Sequence, residues 1–393
     1  MATLNSYLSL NTDELIRTAM RRSGLSEFGD PLSKSALEVL TASLGAEANL
    51  SFWGRILTRQ YLLELIENRL RLIDHWRRHP DIPRCPIPRP LFITGLPRSG
   101  TTLLHSLLAQ DPANRACTHW EAMLPWPPPE EQTLHTDPRI AQTARRLRWS
   151  RLLAPKLARA HPMGAEMPQE CVAVMAYSFL SPGFDEMYRV PSYRSWLRAQ
   201  DLRPAYRFHR GFLGHLQWKT SARRWVLKAP SHMLALDAIF ATYPDVCVVQ
   251  SHRDPVKVLG SVASLSNIVQ GMFSNRINPL EIGAEVCRSL HDEVGRGMAF
   301  RDHNPHLERH FVDVHYSRLV RDPLQTVREI YDRFGLSLSA EAEHKMRDWL
   351  SRAAGARRKR HVYRLKDFGL DAREVALRFA GYRERFAIEP EVL

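Results

Sequence analysis

The stretch Leu91-Phe92-Ile93-Thr94-Gly95-Leu96-Pro97-Arg98-Ser99-Gly100-Thr101-Thr102-Leu103-Leu104-His105-Ser106-Leu107-Leu108 decides the fold. Leu91 to Thr94 is a short apolar, β-rich run, Gly95 and Gly100 bound a tight loop, and Leu103 to Leu108 reads as helix. In a strand, tight loop and helix of this kind, successive backbone N–H groups and a helix N-terminus face an anion, usually a nucleotide phosphate. The two glycines permit the turn and a close approach, and Thr101 and Thr102 add hydroxyl donors at the helix start. A loop of the ATP type needs lysine directly after its second glycine. Thr101 stands there instead, and the cation is Arg98, inside the loop, which disfavours a standard ATPase or GTPase.

The same grammar recurs downstream. Trp225-Val226-Leu227 reads as strand, 228–232 as loop, and a helix runs to Tyr243. Val246 to Gln250 is a further strand, 251–255 a loop, and a helix bearing Ser261 follows. Phe311 to Val314 is the last strand, ahead of a helix from Pro323 to Phe334. Alternating strands and helices predict an α/β protein, a P-loop-like three-layer α/β/α fold around a central parallel sheet.

Working outward, residues 12–78 are predicted helical, with Phe52, Ile56, Leu63, Ile66, Leu70 and Ile73 at helical spacings. Pro80 to Pro90 holds five prolines in eleven residues and reads as a linker, dividing a helical segment 1–88 from an α/β domain 89–393. Between the first two strand units, residues about 120–222 lack strand alternation. They carry Pro125, Pro127, Pro128 and Pro129 and a helix-like Ile140 to Ala160, and are expected to form a helical insertion acting as a substrate lid. Most of its aromatics, Tyr177, Phe179, Phe184, Tyr188, Tyr193 and Trp196 among them, are expected in the core, with some lining an apolar acceptor pocket.

With 393 residues, 44% hydrophobic and 25% charged, the chain has the composition of a folded protein rather than a disordered one. Five scattered cysteines without CxxC spacing suggest neither a disulfide frame nor a zinc site. His303, His306 and His310 with Asp313 are read as a loop before a strand, so no metal is expected. No apolar run is long enough to span a membrane and no secretory signal opens the chain, so the cytoplasm is the expected compartment. The net charge of +13, with 47 arginines among 55 basic residues, points to an anionic partner. Apart from Arg357 to Arg360 the charge is spread along the chain, which favours a polyanionic small molecule over nucleic acid.

Arg253, in Ser251-His252-Arg253-Asp254-Pro255, offers a bidentate fork, and Ser261, eight residues on, offers a hydroxyl that can meet the same phosphate. On these residues the chain resembles the sulfotransferase superfamily that uses 3'-phosphoadenosine 5'-phosphosulfate. Pro97-Arg98-Ser99-Gly100-Thr101-Thr102 is similar to its 5'-phosphosulfate loop, and Arg253 with Ser261 to its 3'-phosphate pair. Val226-Leu227-Lys228-Ala229-Pro230 and the block from Val314 to Pro323 resemble the bacterial branch called sulfotransferase family 3, related to the tyrosylprotein sulfotransferases. The resemblance covers about residues 89 to 370.

It implies a donor site made of Pro97, Arg98, Ser99, Gly100, Thr101, Thr102, Arg253 and Ser261, closed by Tyr316 and by the basic tail at Lys359. Lys228 falls where the related enzymes carry a transition-state lysine, and Arg98 keeps a cation where cytosolic relatives usually have lysine. The implied reaction moves a sulfuryl group to a hydroxyl of a small molecule, lipid or glycan, with no metal. The catalytic set is then Arg98, Lys228 and, as general base, Glu121 in His119-Trp120-Glu121. His119, His161, Glu166 and Glu170 are rival bases, and the oligomeric state, a homodimer included, stays open. The alternatives are a P-loop kinase using ATP and a non-catalytic nucleotide-binding protein.

Overall fold

The computed structural model describes residues 8–153, 155, 163–221, 223–355 and 363–391. Three helices come first: α1 (Thr12–Ser23), α2 (Pro31–Ala46) and α3 (Phe52–Arg78). Each starts on a side chain that accepts an orphan backbone N–H: Asn11 from Glu14, Asp30 from Ser33 and Ser51 from Gly54. The core then runs β1 (Leu91–Gly95), α4 (Thr101–Leu108), β2 (Asn114–Arg115), α5 (His119–Met123), α6 (Pro138–Leu153), α7 (Arg203–Gln217), β3 (Arg224–Lys228) and α8 (Leu236–Thr242). It continues with β4 (Cys247–His252), α9 (Pro255–Gln270), α10 (Pro279–His303), β5 (Phe311–His315), α11 (Tyr316–Arg321), α12 (Pro323–Arg333) and α13 (Ala340–Gly355). Short helices at Cys171–Met175, Gly183–Met187 and Pro191–Arg198 fill the insertion.

The five strands form one sheet in the order β2-β3-β1-β4-β5, parallel at every pairing. The four strands read from the sequence are the four long ones. β2 is a two-residue edge strand, Asn114-Arg115, whose polar residues carry no strand pattern. Period-two alternation builds the layers: Phe92, Trp225, Leu227 and Val248 face one core, while Leu91, Ile93, Val226 and Val249 face the other. Helices cover both faces, which is the three-layer α/β/α arrangement. The N-terminal helices share the first of these cores, with Leu37, Leu63 and Leu70 in the same cluster as Phe92 and Trp225. Arg69, fully buried, joins them to the insertion by donating to the carbonyls of Phe28 (2.8 Å) and Tyr177 (3.0 Å) and to Asp30 (2.7 Å). Among the described residues no helix is long and apolar enough to cross a membrane.

Candidate active site

In a parallel sheet all strands end at one edge, so the loops that follow adjacent strands become neighbours. Here β1, β3, β4 and β5 deliver the 95–100 loop, Lys228, Arg253 and Tyr316 to that edge. Gly95 lies opposite Ser251 in the β1–β4 register, with φ +119°, and a Cβ there would stand 2.1 Å from the Ser251 carbonyl oxygen. Only glycine fits, and its absence of a side chain lets the two loops run side by side. Gly100, at φ +92°, turns the chain into α4, whose first-turn N–H groups have no intrahelical acceptor.

The loops meet at Arg98. Its Nε donates to Ser261 Oγ at 3.2 Å, and its carbonyl accepts Arg253 Nη1 at 2.8 Å. Arg253 lies on the Tyr316 ring, 3.8 Å from its centroid, and its fork is held by the Glu391 carboxylate. The Tyr363 hydroxyl donates to the Lys257 carbonyl at 3.1 Å, and its ring packs over Gly260, so the described end of the basic tail folds back beside Ser261. Ser99 points into the loop. Its hydroxyl donates to the Leu96 carbonyl at 2.5 Å and its own carbonyl accepts Ser251 Oγ, so this buried side chain braces the loop from within.

Lys228 ends β3 with only 2% of its surface exposed. Its ammonium forms an ion pair with Glu170 and lies 3.5 Å from Thr102 Oγ1. Beneath it, burial and the Lys228 charge push His105 down to about 3, so the ring is neutral and its Nε2 donates to the Val226 carbonyl. Glu170 sits in the segment His161 to Glu170 singled out from the sequence, next to Gln169, whose amide nitrogen contacts His119 Nδ1 at 3.0 Å.

Glu121 turns away from this edge. It is 2% exposed and closes a capping box: one carboxylate oxygen accepts from the Thr118 N–H (2.8 Å) and hydroxyl (2.9 Å), the other from Arg115 (2.7 Å). Both oxygens serve structure, and the side chain does not reach the cavity. Glu166 is exposed and also off the cavity. His161 and Lys359 lie outside the described residues. His303 and His310 bond the main-chain carbonyls of Ala299 and Val246, and Asp313 holds Arg301 and His252.

A cavity of about 1510 Å³ opens from this edge. Pro97, Arg98, Thr102, Lys228, Glu170 and Tyr316 line one part of it, and Tyr61, Tyr188, Val269, Phe273 and Val286 give it apolar walls. Tyr177 and Tyr188 from the insertion face it, whereas Phe179, Phe184 and Tyr193 are core.

A model of the sulfotransferase family matches residues 90–340, more than half of the chain. The chain belongs to the sulfotransferase family. Among solved structures, this sulfotransferase is similar to STF1 of Mycobacterium tuberculosis, at 35% identity and a TM-score of 0.85, covering 95% of this chain and 99% of that one. It is also similar to STF9 of Mycobacterium avium, at 29% identity and a TM-score of 0.88, covering 97% and 98%. Two curated relatives, from Mycobacterium bovis and Mycobacterium tuberculosis, are each described as omega-hydroxy-beta-dihydromenaquinone-9 sulfotransferase Stf3. They are 24% identical over 262 residues, and the match spans 63% of this chain and 63% of theirs.

Several cavity residues of this sulfotransferase carried no sequence signal. Tyr61, Glu64 and Asn68 come from α3, whose pattern shows only packing. Asp185, Glu186 and Glu293 line the cavity away from any motif. Burial, and after it the neighbouring Glu170 and Glu293, push Glu186 up to about 8. Burial pushes Glu293 up to about 7 and, against the pull of Arg194, Asp185 to about 6.

Proposed function

We propose that the protein transfers the sulfuryl group of 3'-phosphoadenosine 5'-phosphosulfate to a hydroxyl of a small molecule or lipid held in the cavity. The observation that carries this reading is the meeting of Arg253 and Ser261 with Arg98 beside the glycine-bounded loop, with Lys228 one strand away. In this reading the 5'-phosphosulfate lies against the loop N–H groups, Thr101, Thr102 and Arg98, and the 3'-phosphate takes the fork of Arg253 and the hydroxyl of Ser261. Tyr316 closes over the nucleotide, and Lys359 is assigned the same task by resemblance alone.

Transfer breaks the bond from sulfur to the phosphate oxygen and forms one from sulfur to the acceptor oxygen, so negative charge grows on the leaving phosphate. Lys228 and Arg98 offset that charge in a site shielded from bulk water, where one such donor contributes about 3 kcal/mol, or roughly a hundredfold in rate. The acceptor proton goes to Glu170, which replaces Glu121 as the base because its carboxylate is in the cavity and already beside Lys228. The apolar walls suit an acceptor with a hydrocarbon body, in keeping with the omega-hydroxy-beta-dihydromenaquinone-9 in the name of the Stf3 relatives. The cytoplasm is the proposed compartment, where the five free cysteines stay reduced.

Calorimetric titration with adenosine 3',5'-bisphosphate, and separately with ATP and magnesium, tests the donor without knowledge of the acceptor. The reading requires bisphosphate binding that Arg253→Ala weakens at least about tenfold. Preference for ATP would make the chain a kinase, and binding of neither would end the donor assignment.

A further inference from the structure

Trp149 and Leu152 stand on α6 with 63% and 67% of their surface in solvent. Arg145, Arg148, Trp149 and Leu152 follow the spacing i, i+3, i+4, i+7, which lays them along one outward stripe of the helix, while Thr143 and Leu147 on the far side are buried. Among the described residues the side chains of these four make no hydrogen bond or ion pair. The whole helix carries five arginines and no acid. A stripe that mixes arginine with tryptophan and leucine suits neither bulk water nor a protein core. It suits the boundary between lipid headgroups and acyl chains, where the indole and leucine are apolar anchors and the guanidinium groups meet phosphates.

A second exposed group stands on α3: Phe52, Trp53 and Leu57, of which Trp53 is 70% exposed. Helical geometry places Trp53 and Leu57 on the same face as Glu64 and Asn68, which line the cavity. The same face therefore runs from the exposed Trp53 and Leu57, through Gln60, to Glu64 and Asn68 at the cavity wall. The Ser51 N–H donates to the Phe273 carbonyl at 2.8 Å, fixing this end of α3 against cavity-lining residues. Arg146 of α6 reaches Glu64 of α3 at 3.2 Å, so the two helices are tied at the same wall.

We propose that the α6 stripe of Arg145, Arg148, Trp149 and Leu152, with Phe52, Trp53 and Leu57 of α3, is a docking surface for an anionic lipid bilayer. Charge complementarity selects this occupant, since the stripe and its helix are purely cationic. Attachment to the cavity wall through Glu64 assigns it a use, as the place where an acceptor whose hydrocarbon body fits the apolar part of the cavity is taken up from the bilayer. The surface lies outside the donor site, so it stands or falls independently of the donor assignment.

Cosedimentation with phosphatidylcholine vesicles, with and without one third phosphatidylglycerol, tests it. Expected is binding to the anionic vesicles at low salt, weakened at high salt, and little binding to pure phosphatidylcholine. Trp149→Ser with Leu152→Ser, and separately Arg145→Glu with Arg148→Glu, should each cut binding at least about tenfold. Circular dichroism melting shows that these surface variants stay folded. Absence of binding to anionic vesicles, or binding that both double variants retain, overturns the proposal. So does a concentration-dependent rise in solution mass that Trp149→Ser with Leu152→Ser abolishes, because the stripe would then be a contact between copies of the chain.

Discussion

Glu391 grips the guanidinium of Arg253 through two bonds, Nε to Oε1 at 2.8 Å and Nη2 to Oε2 at 2.9 Å, while the Glu391 N–H donates to Asp254 at 2.9 Å. The fork assigned to a 3'-phosphate is thus held by a carboxylate from the C-terminal segment, and a nucleotide must displace it. A partly exposed pair of this kind is worth about 1 kcal/mol, so Glu391→Ala should tighten adenosine bisphosphate binding about fivefold in calorimetry. Unchanged affinity in Glu391→Ala, alongside a large loss in Arg253→Ala, would show that the pair opens at no cost.

The contact between Lys228 and Glu170 separates chemistry from binding. Glu170→Gln and Lys228→Ala should each lower kcat by about 10²-fold or more while bisphosphate affinity changes little. Rapid-mix assays at saturating donor give the first quantity and calorimetry the second. Full turnover in Glu170→Gln would move the base to His119, the other rival on the cavity wall.

Glu121 should behave oppositely. Glu121→Ala removes the cap of α5 and strands the buried Arg115, which the carboxylate neutralises at 2.7 Å. Loss of one partner from a buried pair costs about 3 kcal/mol. Urea denaturation should register that loss, and kcat of the folded fraction should stay within a few-fold of the parent.

Gly95→Ala is expected to be severe. The new methyl would stand 2.1 Å from the Ser251 carbonyl oxygen at a φ of +119°, pushing β1 and β4 apart where the two loops meet. A loss of stability above about 3 kcal/mol and of bisphosphate binding together is the expected result. Melting and calorimetry on one preparation decide it.

Glu293 links stability to pH. It is 8% exposed, and burial, reinforced by Asp185 and Asp292 and opposed by Arg198 and Ser289, raises its carboxyl to about 7 from an ordinary 4.5. A raised folded-state value contributes stability that is complete below 4.5 and fades as pH climbs through 7. Glu293→Gln should remove that fading, so the variant gains on the parent by about 2 kcal/mol between pH 5 and 8 in denaturant titrations. Parallel curves would mean that Glu293 stays charged throughout.

The strand, loop and helix from Leu91 to Leu108, the later strands and the positions of Lys228, Arg253 and Tyr316 at strand ends were legible in the sequence. Alternation and turn chemistry are local, and a parallel sheet then has one edge at which its strand ends can gather. What a given carboxylate does was not legible. Glu121 and Glu170 are both acids near a proline-rich insertion, yet packing turns one inward onto Thr118 and Arg115 and leaves the other against Lys228. Glu391 reaches Arg253 across 138 residues, and α3, whose pattern shows only packing, contributes Tyr61 and Glu64 to the cavity wall. Main-chain geometry follows from neighbours along the chain. The role of a side chain depends on neighbours in space, and those were decided when the insertion and the N-terminal helices closed over the sheet.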